Sequence, residues 1–282
     1  MTAVQVQGYL PEEPVLHRWS ILVSLGRTYP QVTYRPVRYS GPMASTGPEG
    51  GTASGKGQDP SPLDDAAGRI AELLTIKPKW RGWIHTVTAP LAFIAGVVLV
   101  WLAPTDDRRL SSAIYALTGV LLFGVSAVYH RGNWRPRVRM VLKRLDHTNI
   151  MLVIAGSYTP LAWSLLERPK AVLLLWVIWS GAILGVLFRL LWTDAPRWLY
   201  VPIYIALGCG ALFYLPEFFA ASVPAAVLVC VGGVFYITGA VFYALKKPNF
   251  SYEHFGFHEL FHAFTVLAFT AHFIAIAIAI QN

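Results

Sequence analysis

The chain has 282 residues, of which 55% are hydrophobic and 13% charged, with a formal net charge of +8 at pH 7. This is the composition of a membrane protein, not of a soluble domain with charged faces. Its two cysteines, Cys209 and Cys230, fall inside apolar stretches, where they read as small buried hydrophobes and not as a disulfide framework.

Residues 1–63 form an N-terminal extension without apolar periodicity, and residues 39–62 are a Gly-, Ser- and Pro-rich linker expected to be disordered. No apolar core followed by a small-residue cleavage site precedes residue 84, so no cleaved signal peptide is expected. Met43 opens the low-complexity segment and residues 1–42 resemble nothing downstream, which makes Met43 a candidate translation start. In "DDAAGRIAELL", Asp64 and Asp65 precede an apolar face of Ala67, Ile70, Leu73 and Leu74. That pattern fits a short capped helix on the membrane surface, or a plain lead-in to the first span.

Residues 64–282 hold seven apolar stretches, at 84–102, 111–130, 148–166, 171–191, 198–215, 223–244 and 257–280. Each is about 20 residues long, enough to cross about 30 Å of hydrocarbon as a helix. Short polar or Pro-containing breaks separate them. The basic residues sort by loop parity. Fourteen flank one side: Arg69, Lys77, Lys79, Arg81, Arg131, Arg135, Arg137, Arg139, Lys143, Arg144, Arg189, Arg197, Lys246 and Lys247. Four flank the other: Arg108, Arg109, Arg168 and Lys170. The expected fold is therefore an all-α seven-transmembrane helix bundle in the cell membrane, with a cytoplasmic N-terminus and the C-terminus outside. The positive charge reads as topology and lipid-headgroup contact, not as a nucleic-acid surface.

Ionisable groups within spans cost about 2.5–3.5 kcal/mol at the centre and require a reason. The second stretch ends in "SAVYHR", with Ser126 and His130 on one helical face. The third begins with Asp146 in "LDHTNI", and the seventh begins with His258 and His262 in "FHELFHAF". The topology brings these groups to one membrane depth. Three imidazoles, a carboxylate and a hydroxyl there make a candidate zinc site, with three protein ligands leaving a fourth position for water. His85, His147 and His254 are expected at the interface, and His85 is also a candidate donor behind the site. Arg189 is expected to snorkel. His272, about 15 Å deeper than His262 by helical rise, is expected to hydrogen-bond within the bundle.

"HELFH" also matches the H-E-x-x-H pattern of zinc metalloproteases, with Glu259 in the place of the general base. Soluble enzymes of that kind need a third ligand beyond the helix, and no carboxylate follows Glu259. An intramembrane protease could recruit Asp146 instead.

Together "KPKWRGWIH", "SAVYHR", "LDHTNIMLVIAGSYTP" and "FHELFHAFTVLAFTAHFIAI" closely resemble the bacterial hemolysin III family, over about residues 64–280. That family belongs with the progestin and adipoQ receptors and, more distantly, the alkaline ceramidases. The resemblance implies a seven-helix protein with its N-terminus inside. It further implies zinc held by His130, His258 and His262, with Ser126 and Asp146 holding or polarising water at the metal and Glu259 a bystander paired with a basic loop residue. Two function classes remain open. One is a zinc-dependent hydrolase of a lipid amide or ester that shapes membrane lipid composition, with Asp146 accepting a proton and Ser126 orienting the water. The other is a non-enzymatic lipid sensor, or a cytolytic pore or channel, stabilised by zinc.

Overall fold

A computed structural model describes residues 78–251 and 253–282 of the chain. The expectations for the linker, for Met43 and for a helix over residues 64–74 lie outside the described residues.

The described residues are helical throughout, with no β-strand among them. Helix α1 (Trp83–Leu102) is followed by α2 (Asp106–Arg131), α3 (Pro136–Leu165) and α4 (Arg168–Leu191). Next come α5 (Arg197–Gly208), a 3-10 segment (Cys209–Tyr214) and α6 (Leu215–Ala221). The run closes with α7 (Val223–Leu245) and α8 (Phe257–Ala279). Loops of a few residues join most of these elements, so sequence neighbours pack side by side, and α8 returns to pack on α1 and α3.

Among the described residues, six helical segments are long and apolar enough to cross a membrane: α1, α2, α4, the α5–α6 run, α7 and α8. Their outer faces stay greasy: Leu191 and Phe213 are 86% and 85% exposed, while Phe123 and Met151 are fully buried. A bundle with large apolar side chains all over its exterior is built for lipid.

Helix α3 departs from the pattern. It starts at Pro136, twelve residues before the expected apolar stretch, and runs for 30 residues. Proline suits the first helical turn, and the Arg, Leu, Met and Lys residues that follow are good helix formers, so the helix continues through a charged segment that an apolar window cannot register. Further along, α3 is the most enclosed helix, touching α2, α4, α5, α6 and α8. It therefore carries buried Thr148, Asn149, Ser157 and Thr159 where a lipid-facing helix would carry leucine. Asn149 Nδ2 donates to Leu121 O of α2 at 2.8 Å, and Trp179 Nε1 of α4 donates to Thr159 Oγ1 at 3.1 Å. Gly156 lets α2 approach, since a Cβ there would collide with Thr118.

The fifth apolar stretch is not one straight helix. At Cys209 it tightens into the 3-10 segment, which Tyr158 of α3 clasps: its hydroxyl donates to Gly208 O at 2.6 Å and accepts Ala211 N at 2.6 Å. Pro216 then opens α6 at a position where its missing N–H is harmless.

Candidate metal centre

The end of α2 and the start of α8 converge beside the first half of α3. Helix α8 starts where Glu259 reaches back so that its Oε2 accepts the Gly256 N–H at 2.9 Å, and Asn249 Oδ1 accepts the Phe257 N–H at 2.9 Å. This start puts His258 and His262 in the first two turns, four residues apart on one face. The last turn of α2 supplies His130, with Ser126 one turn earlier, both buried. Asp146 comes from three turns into α3.

His130 Nε2 lies 3.2 Å from His258 Nε2, and ligand atoms of His130, His258 and His262 all fall within 4.8 Å of one another. The carboxylate of Asp146 approaches His130 Nε2 at 3.7 Å, and Ser126 lies against the same carboxylate. Two imidazole nitrogens facing each other can share one proton or one cation. The third nitrogen and the nearby carboxylate make this set able to hold a metal ion.

His85 departs from the expected interfacial position. It is 2% exposed, stacks on His262 at a centroid distance of 3.8 Å and an interplanar angle of 7°, and meets Phe123 edge-on at 5.0 Å. The ring thus lies behind His262 without joining the ligand set, the place its second expected role gave it, but it stacks there instead of donating, since neither ring nitrogen has a hydrogen-bond partner. Arg189 is likewise buried instead of snorkelling. Its guanidinium lies 4.3 Å from the Tyr200 ring centroid, so an aromatic face takes the place of headgroups. His272 Nε2 does bond within the bundle, to Val229 O at 3.2 Å.

Glu259 is 1% exposed and faces Arg81, with which it forms an ion pair, while its other oxygen caps α8. Both carboxylate oxygens are thereby engaged. Gly82, at φ 82°, turns the backbone tightly against α2, where a Cβ would stand 2.7 Å from His130 Cβ.

Beside the histidines lies a small pocket lined by Ser126, Asp146, Tyr200, Tyr204 and Tyr243. It shares Leu122, Ile150, Tyr204, Ala240, Phe261 and Thr265 with a second cavity of about 270 Å³ that extends between α3, α5, α7 and α8. The walls of the larger cavity are overwhelmingly aliphatic and aromatic.

Residues 74–273 match the family model described as haemolysin-III related. The chain belongs to the haemolysin-III related family. It is 26% identical over 199 residues to a hemolysin-3 homolog of Bacillus subtilis (strain 168), an alignment covering 69% of this chain and 90% of that protein. It is 27% identical over 186 residues to hemolysin-3 of Bacillus cereus, covering 64% and 82% respectively. Family membership and the six apolar helices together make it a multi-pass protein of the cell membrane.

Proposed function

We propose that this haemolysin-III family protein is a zinc-dependent hydrolase of a lipid amide or ester. The observation that carries the reading is the juxtaposition of His130 Nε2 and His258 Nε2 at 3.2 Å with the Asp146 carboxylate, next to an apolar cavity of about 270 Å³. Zinc–nitrogen bonds of about 2.0–2.1 Å in a tetrahedron set neighbouring nitrogens about 3.3 Å apart, so the observed pair suits zinc, and His262 completes three nitrogen ligands. When bound, zinc supplies a Lewis acid that makes its water more acidic and polarises a carbonyl. Asp146 accepts the proton of the attacking water, Ser126 orients that water, and the cavity shelters the acyl chain.

The same reading counts α3 as a seventh crossing, because its enclosed position excuses its polar residues from contact with lipid. With the positive-inside bias it gives a cytoplasmic N-terminus, a C-terminus outside and a metal centre near the cytoplasmic face. The metalloprotease reading loses support because Glu259, its required base, is committed to Arg81 and to the cap of α8.

The relatives' name, hemolysin-3, favours a second reading, a membrane-permeabilising protein with structural zinc. One experiment separates the two. Purified protein in liposomes is assayed for lipid turnover and for dye release, as wild type and as Asp146→Asn. Turnover abolished by Asp146→Asn supports the hydrolase. Leakage that is indifferent to Asp146→Asn, with no turnover across ceramides and phospholipids, supports the pore.

A further inference from the structure

The three candidate histidine ligands come from two helices, and the segment leading into α1 touches both ligand-bearing turns. Arg81 pairs with Glu259, the residue after His258 in α8. Gly82 packs against the other side, where a Cβ would stand 2.7 Å from His130 Cβ of α2. The guanidinium of Arg131, the residue after His130, covers the Trp83 ring at 4.1 Å. Within the first turn of α1, His85 stacks on His262. A continuous path therefore runs from His258 and Glu259 through Arg81 and Gly82 to His130.

Capping α8 does not by itself require this arrangement. A short polar side chain at the boundary satisfies a helix N-terminus without being buried, whereas Glu259 is 1% exposed and needs Arg81 to offset its charge. What the pairing also fixes is the separation of the ligands. His258 and His262 ride on one helix and keep their spacing however α8 moves. His130 alone is carried by a different element, so the three-nitrogen set is broken by the step that draws His130 away from that pair. Arg81 and Gly82, adjacent in the chain, bridge the gap that this step must open. The opposite direction offers an ion no exit. The cavity beyond the small pocket is walled by aliphatic and aromatic side chains, which replace none of the ligands a divalent ion would give up.

We propose that the Arg81–Gly82 segment is the clasp of the metal centre and sets the rate at which the ion leaves it. Arg81 is a positioning residue that acts on the ligands through Glu259. The proposal rests on the zinc site of the reading above and is independent of the reaction carried out there.

The test loads the full chain in detergent with zinc, adds a fluorescent zinc chelator in excess and follows release. Arg81→Met is expected to release zinc about ten-fold faster than the wild type, and Arg81→Lys, which keeps the charge, no more than about three-fold faster. Gly156→Ala crowds Thr118, about 18 Å from His130 by helical rise, and should leave the rate unchanged, which separates a clasp from a general loss of stability. If Arg81→Met does not fold, Trp83→Leu removes a partly exposed ring beneath Arg131 and is expected to speed release about three-fold. Wild-type rates in Arg81→Met or Trp83→Leu, or equally fast release in Gly156→Ala, overturn the clasp while leaving the metal centre in place. A wild type that binds no zinc overturns the metal centre and the clasp with it.

Discussion

Arg81 and Glu259 form an ion pair that ties the segment ahead of α1 to the first turn of α8, between residues 178 positions apart. Around it the Lys79 N–H donates to Glu253 O at 2.9 Å, the Trp80 N–H donates to His254 O at 3.3 Å, and the Arg131 guanidinium covers the Trp83 ring at 4.1 Å. The segment is thus strapped across the ends of the two helices that carry His130, His258 and His262. Removing one partner of a buried pair leaves the other charge stranded. Arg81→Met is expected to destabilise the protein by about 3 kcal/mol, and the double variant Arg81→Met/Glu259→Met is expected to recover part of that loss. Thermal unfolding in detergent measures both; a double variant no more stable than the worse single one would contradict the coupling.

The metal content of detergent-purified protein separates the ligand set from its neighbours. About one zinc per chain is expected in the wild type. His130→Ala is expected to lose it, because α2 then contributes no nitrogen. Glu259→Gln should keep it, since the amide oxygen still caps Gly256. Full occupancy in His130→Ala would mean that the "HELFH" pair draws its third ligand from elsewhere, and would reopen the protease reading.

At Gly156, α2 and α3 approach closely. A methyl group there meets Thr118 Cβ at 3.0 Å and presses on its hydroxyl. Gly156→Ala is expected to cost about 1–3 kcal/mol by overpacking, even though alanine favours the helix itself. Pairing it with Thr118→Ala makes room and should restore most of the stability, which thermal unfolding of the two variants would check.

Glu253 lies in the α7–α8 loop, outside the spans. The hydrogen bond from Lys79 holds its carboxyl below the usual range, and His254 pulls in the same direction. A carboxylate depressed on folding contributes stability that is present above its unfolded pKa and lost as pH falls through the folded one. Acidification is therefore expected to loosen this outer contact of the strap, and Lys79→Met to move the Glu253 titration upward. Carboxyl carbon NMR across the acid range would follow it, and an unmoved midpoint in Lys79→Met would refute the pairing. Both side chains are exposed, so the effect on overall stability should be small.

The apolar stretches, the loop charges and the His258–His262 spacing are local properties of the chain. A run of about 20 apolar residues announces a membrane helix, and residues four apart share a helical face. Sequence alone was therefore sufficient for the helical membrane class and for singling out His130, His258, His262, Ser126 and Asp146, side chains that lie near one another in the structure. Helix ends outside the hydrocarbon were not legible in this way, because charged residues such as Arg137 and Lys143 are as compatible with helix as with loop. The same is true of the 3-10 segment at Cys209, which depends on a tyrosine 51 positions earlier. Only the tertiary structure decided that His85 stacks on His262, that Arg189 lies on Tyr200, and that the basic loop residue paired with Glu259 is Arg81. Each of these contacts joins side chains from separate segments of the chain, and the partner of a buried polar group is set by how those segments rotate and press together, which no single helix encodes.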